Sequence, residues 1–204
     1  MSHEPSTYPP SQTALLLLDY QNLIVHGRVT DDSARAKVIH AASTLLAAAR
    51  KNKAPIAHCL IGMKEDPRET SKFFPMWESN FKPLRDNDPS KIAEIEELAI
   101  KEETELEINS EKLLGVISAM KTEKLLKFLE KRGVKSLVIA GLVTSGATLS
   151  TAREAADLGF VTTVVEDGCW DSKGEVHKAV MEGVLPMTGY VVGLEEGVKL
   201  LGGQ

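Results

Sequence analysis

A chain of 204 residues, 43% of them hydrophobic, is long enough to bury one sizeable core, and a single domain is the economical reading. The formal net charge of −5 argues against nucleic acid as a main partner, because phosphate binding needs a basic face. No run approaches the roughly 18 apolar residues of a membrane span, so no membrane partner is expected; the longest obvious one, Ala14–Leu18, has the length of a strand.

Residues 1–12 are polar, carry Pro5, Pro9 and Pro10, and hold no apolar signal region, which reads as a flexible arm of a cytoplasmic protein ahead of a domain over 13–204. Thr13–Leu18 is a first strand ending on Asp19. Asp31 or Asp32 can cap a helix through Ser33–Asn52, where Val38, Ile39, Ala42, Leu45, Leu46 and Ala49 recur at helical spacing. Pro55–Leu60 is a second strand. Ile61–Pro89 reads as irregular, since Pro67, Pro75, Pro83 and Pro89 interrupt any helix. Its Arg68, Lys72, Phe73, Phe74, Trp77 and Phe81 either line a pocket or pack a loop or a subunit contact. Ser90–Ala99 is expected as a short helix, Glu105–Ile108 as a strand edge, and Thr122–Arg132 as an amphipathic helix stopped by Gly133.

The stretch from Ser136 to Asp171 is the most ordered pattern in the chain. Ser136–Ala140 and Phe160–Val165 are apolar strands, Ala152–Leu158 has helical composition closed by Gly159, and Gly141-Leu142-Val143-Thr144-Ser145-Gly146 forms the turn between. This βαβ order makes the strands parallel and puts the turn at a strand's carboxyl end, where open α/β sheets bind substrates. Glu175–Glu182 as a helix, Gly189–Val192 as a strand and Leu194–Leu200 as a helix complete the alternation. The fold class is therefore α/β, a three-layer αβα sandwich with a mainly parallel sheet.

Four segments carry a family resemblance: ALLLLDYQN, LLKFLEKRGVKSLVIAG, GLVTSGATLSTAREAADLGF and VVEDGCWDSKGEVHKAVME. Together, from about Thr13 to Leu200, they resemble the isochorismatase-like hydrolases of the cysteine hydrolase superfamily, which includes nicotinamidases and N-carbamoyl amidohydrolases. The resemblance implies a Rossmann-like fold, homo-oligomers of dimer size or higher, and a triad of Asp, Lys and Cys in which the Asp takes the thiol proton and the thiolate attacks an amide carbon. Carried over, Asp19 is the catalytic Asp and Gln21 the Gln that follows it. Read alone, Asp19 could equally cap a turn over Tyr20–Val25. Leu142, Val143, Thr144, Ser145, Gly146 and Ala147 form the nucleophile turn, whose backbone N–H groups would steady an oxyanion and which a non-proline cis peptide would precede.

Two positions depart from the pattern. The family Lys precedes a Ser-Ala-Phe segment, here Ser118-Ala119-Met120, and counting back lands near Leu114, with Lys112 two positions earlier. Either Gly115 forms a bulge that brings Lys112 to the site, or Lys112 is a solvated lysine beside Glu111. Ala147 stands where the Cys belongs, as isochorismatases proper carry a small residue there, cleave an enol ether and use the acid as proton donor.

No cofactor or metal is expected. Nicotinamidase-like relatives bind metal through Asp-x-His, absent from the stretch after His58, which reads as a strand histidine; His26, His40 and His177 are isolated. Cys59 and Cys169 lack metal-ligand spacing and read as buried small hydrophobes. Two functions follow: a small-molecule hydrolase with Asp19 as general acid/base and no Cys nucleophile, or an inactive family member that binds a small molecule or a partner.

Overall fold

The computed structural model describes residues 3–202. Thr13–Leu18 (β1), Ile56–Gly62 (β2), Glu107–Leu113 (β3), Ser136–Gly141 (β4), Val161–Val165 (β5) and Tyr190–Val192 (β6) form one sheet in the order β3-β2-β1-β4-β5-β6. Every pairing in it is parallel. β1 lies in the middle with all its residues buried, which is why Ala-Leu-Leu-Leu-Leu shows no polar alternation.

The period of two along β1 divides the core. Ala14, Leu16 and Leu18 face one layer with Leu125, Phe128 and Leu129 of helix α5 (Glu123–Lys131) and Ala152 and Ala155 of α6 (Leu149–Asp157). Leu15 and Leu17 face the other, against Val38, Leu45 and Leu46 of α2 (Asp32–Asn52) and Leu200 of α8 (Leu194–Leu200). The architecture is the expected three-layer αβα sandwich, with Asp31 capping α2 through the Ala34 amide.

Three expectations are corrected. Pro75 and Pro83 do not break the chain: helical turns run from Phe74 to Asn87, because Pro75 falls in the first turn, where its missing N–H has no partner to lose, and Pro83 follows a π turn over Trp77–Phe81 and opens the next α-helical segment. Ser90–Ala99 is not a helix. A 3-10 turn over Pro89–Ile92 gives way to an extended piece in which Glu94 bridges Gln21 and the Ile95 amide donates to the Tyr20 carbonyl at 3.0 Å. The third strand runs on to Leu113, so Lys112 lies in a strand and not in the loop after one.

The strand order reverses between β1 and β4, and a crevice opens at such a switch point, outside the strands' carboxyl ends. Leu18 ends β1 level with Gly141, the last residue of β4. A Cβ on Gly141 would overlap the Leu18 side chain and lie 3.0 Å from its carbonyl oxygen, so only glycine lets the strands meet there. Gly141→Ala is expected to destabilise the protein by about 1–3 kcal/mol, the usual range for overpacking; an unchanged urea midpoint would contradict this close approach.

Candidate active site at the carboxyl ends of the central strands

Asp19 follows β1 directly, with a φ of 58°, in the left-handed region that Asp tolerates better than most residues. Its amide donates to the Cys59 carbonyl at 2.9 Å and its own carbonyl accepts from Gln21 N–H at 2.8 Å. The residue is buried, and its Oδ1 accepts a hydrogen bond from the Nζ of Lys112, which is buried too. Lys112 reaches it from the end of β3, level with Ile61 of β2. Gly115, just beyond, turns with a φ of 91°. Burial raises the Asp19 carboxyl above its ordinary value, with the Lys112 ammonium opposing that rise.

A cavity of about 300 Å³ opens over this pair. Leu142, Val143, Ser145, Gly146 and Ala147 line it together with Asp19 and Lys112. The turn therefore converges with Asp19, and the Leu142–Val143 peptide is cis. Thr144 is fully buried and holds the turn from behind: its amide donates to the Trp170 carbonyl at 2.9 Å, and its Oγ1 lies 2.8 Å from His177 Nδ1. His177 is thus not isolated, and its Nε2 stands 3.5 Å from Glu166.

Gln21 does not line the cavity. Its amide group is used in place: Nε2 donates to the carbonyls of Ile61 at 3.1 Å and Ile92 at 2.6 Å, and Oε1 accepts from the Ile61 amide at 2.8 Å. It ties the end of β2 to the segment after the 3-10 turn.

Sequence reasoning gave no role to Asp171 or Arg28, and both line the cavity. Asp171 Oδ2 accepts from the Ser145 hydroxyl at 2.6 Å and the Ser145 amide at 2.9 Å. Burial would push its carboxyl up, but these donors and the Lys173 and Ser172 amides outweigh it and hold it below the ordinary value. Asp171 lay inside the GCWDSKG segment, but its pairing with Ser145 spans 26 positions and leaves no spacing signal. Arg28 follows the short helix α1 (Asn22–Val25) and carried no motif at all.

Both cysteines are free and buried, and burial pushes both thiols up to about 12. Neither lines the cavity. A thiol held that high is protonated near neutral pH and is a poor nucleophile.

His58 on β2 is fully buried, with Nδ1 2.7 Å from Glu94 and Nε2 3.1 Å from Glu107, which also pairs with Arg50. Burial lowers the His58 pKa, but the two carboxylates outweigh it and hold it above its ordinary value. Glu107 is held down at about 2. Among the described residues no cluster of His, Cys, Asp or Glu has the arrangement of a metal site.

The isochorismatase domain matches residues 13–196, and the chain belongs to the isochorismatase family. It is 33% identical over 73 residues to the isochorismatase family protein YecD of Escherichia coli O157:H7, a match that spans 36% of this chain and only 39% of that relative. An isochorismatase family protein from Burkholderia thailandensis superposes with a TM-score of 0.74 at 20% identity, over 94% of this chain and 96% of that one. A cysteine hydrolase from Pseudomonas syringae pv. phaseolicola superposes with a TM-score of 0.74 at 18% identity, over 96% and 94% of the two chains. At these identities the likenesses establish the shared fold.

Two expectations follow from the buried charges. Asp19→Asn strands the Lys112 ammonium and is expected to cost about 3–5 kcal/mol in urea denaturation, the usual penalty for breaking a buried pair; a cost under about 1 kcal/mol would contradict a solvent-excluded pair. The His58 contribution is complete below the unfolded-state pKa of about 6.5 and is lost as pH rises through the raised folded-state value. The urea midpoint should fall as pH rises above about 6.5, and His58→Gln should flatten that fall; an identical slope in the variant would contradict a charged His58.

Proposed function

We propose that the protein is a hydrolase acting on a small-molecule substrate, with Asp19 as general acid/base and water, not a thiol, as the attacking group. The observation that carries this reading is the buried Asp19–Lys112 pair opening onto a cavity whose turn offers a methyl group at Ala147. Lys112 keeps Asp19 oriented, and burial raises the affinity of its carboxyl for the proton it transfers. Ala147 corresponds to the position of the family cysteine, so amide cleavage through a thioester has no sulfur in the cavity to start from.

An isochorismate-like enol ether suits such a site. Asp19 protonates the terminal vinyl carbon, leaving an oxocarbenium ion. Water adds to the cationic carbon that bears the ether oxygen, and a proton of that water returns to Asp19. The hemiketal then breaks its carbon–oxygen bond to give a ketone and an alcohol. Leu142, Val143, Ser145, Gly146 and Ala147 contact the substrate, while Thr144 and Gln21 act as positioning residues through the bonds described above.

A binding protein without turnover is the second reading, favoured by Ala147 and by the engagement of both Ser145 donors with Asp171. A cytoplasmic location belongs to the proposal and is supported by two free thiols and by the lack, among the described residues, of any helix long and apolar enough to cross a membrane. A homo-oligomer belongs to it as well, supported by the exposed apolar side chains of Ile117, Leu158 and Met187.

Turnover of isochorismate, nicotinamide and carbamoyl compounds tests the reading. Asp19→Asn should lower the rate on the accepted substrate by about 10² to 10⁴, the range for losing acid/base help, while a Cys59→Ala, Cys169→Ala double variant should keep it. Loss of turnover in the cysteine variant, with folding intact, would contradict the proposal. Binding without turnover in the unaltered protein would establish the second reading.

A further inference from the structure

A second cavity, of about 820 Å³, adjoins the one over Asp19, and Ile24, Arg28, Ile61, Phe73 and Leu114 line both. The two therefore meet around the same five residues, a narrow chemical end and a wide one. We infer that the ligand of this site is bipartite: a carboxylated head, with its reacting bond over Asp19 and its acid group held by Arg28 at the junction, and an aryl or acyl tail extending into the wide end. This rests on the reading of the Asp19 cavity as the active site and names the substrate class that site takes.

The charges select the head group. Within the narrow end the Lys112 charge is matched by Asp19, and Asp171 is engaged by Ser145 and backbone amides. The Arg28 side chain makes no ion pair with any described residue and is exposed at the shared wall. A guanidinium presents a planar fork that a carboxylate meets with two parallel hydrogen bonds. The walls select the rest. Leu23, Phe81 and Leu84 line the wide end, and Phe73 and Met76 there are 36% and 41% exposed, a large apolar area facing water. Its volume lies within the roughly 300–1,000 Å³ of small-molecule pockets. Adjacency to the Asp19 cavity around five shared residues favours one elongated ligand over a second protein copy, which would bury the rim without needing the junction.

The probes are benzoate, 4-phenylbutyrate, 6-phenylhexanoate and the neutral 6-phenylhexan-1-ol, titrated calorimetrically into the unaltered protein and into Arg28→Gln, Met76→Glu and Asp19→Asn, with sedimentation of each. Affinity should rise at least about tenfold from benzoate to 6-phenylhexanoate, since each buried methylene adds affinity. Arg28→Gln should weaken the carboxylates about tenfold and leave the alcohol unchanged. Met76→Glu, on the exposed rim and safe for folding, should remove the gain with chain length and spare benzoate. A flat length series, or an alcohol as sensitive to Arg28→Gln as the acids, overturns the inference. So does a dimer that Met76→Glu dissociates while the affinities stay the same, since the wide end would then belong to a second copy. If the expected binding pattern appears in a protein without turnover, the bipartite site stands and the catalytic reading alone falls; Asp19→Asn should preserve the pattern in either case.

Discussion

Everything at the carboxyl end of this sheet depends on two opposite charges being taken out of water together. Asp19 ends β1 and Lys112 lies near the end of β3, so the pair spans the intervening β2. Desolvating an isolated carboxylate or ammonium costs several kcal/mol, and their attraction offsets this only with good geometry. The geometry is supplied by a positive-φ Asp19 anchored to the Cys59 carbonyl and by a strand that carries Lys112 level with Ile61. Cys59 lies between them in the sheet as a small neutral filler, its thiol kept protonated by burial.

A ring of buried polar contacts surrounds this pair and fixes the loops that would otherwise be free to drift. Gln21 ties β2 to the extended piece after Pro89–Ile92, and His58 holds Glu94 of that same piece from below. On the far side, Asp171 and His177 pin the 144–148 turn from one following segment. The turn is therefore held by side chains from outside as well as by its own backbone, and it can present Ala147 to the cavity without a sulfur to anchor chemistry there. What the site retains is a carboxyl group with an elevated proton affinity and an ordered wall.

The layers were legible in the sequence because parallel strands buried on both faces read as unbroken apolar runs. Ala14–Leu18 and Ser136–Ala140 could be placed nearly to the residue. The Asp19 position and the turn were legible because they are local motifs. The 61–99 region was not: prolines at helix first turns look like helix breakers, and the polar run after Pro89 owes its extended shape to bonds with Tyr20, Gln21 and Asn22 that lie about 70 positions away. Lys112 was ambiguous for the same reason, since its burial depends on where β3 ends. Arg28 gave no signal, because a cation in the turn after a short helix acquires meaning only from the cavity it meets.

The elevated proton affinity of Asp19 is the central claim, and a carbon-13 titration of its carboxyl group tests it most directly. The resonance of the unaltered protein should titrate above the ordinary Asp value of about 3.9, and Lys112→Met should move it higher still, since the opposing ammonium is then gone. A carboxyl that titrates at or below the ordinary value, or that Lys112→Met leaves in place, would contradict the account.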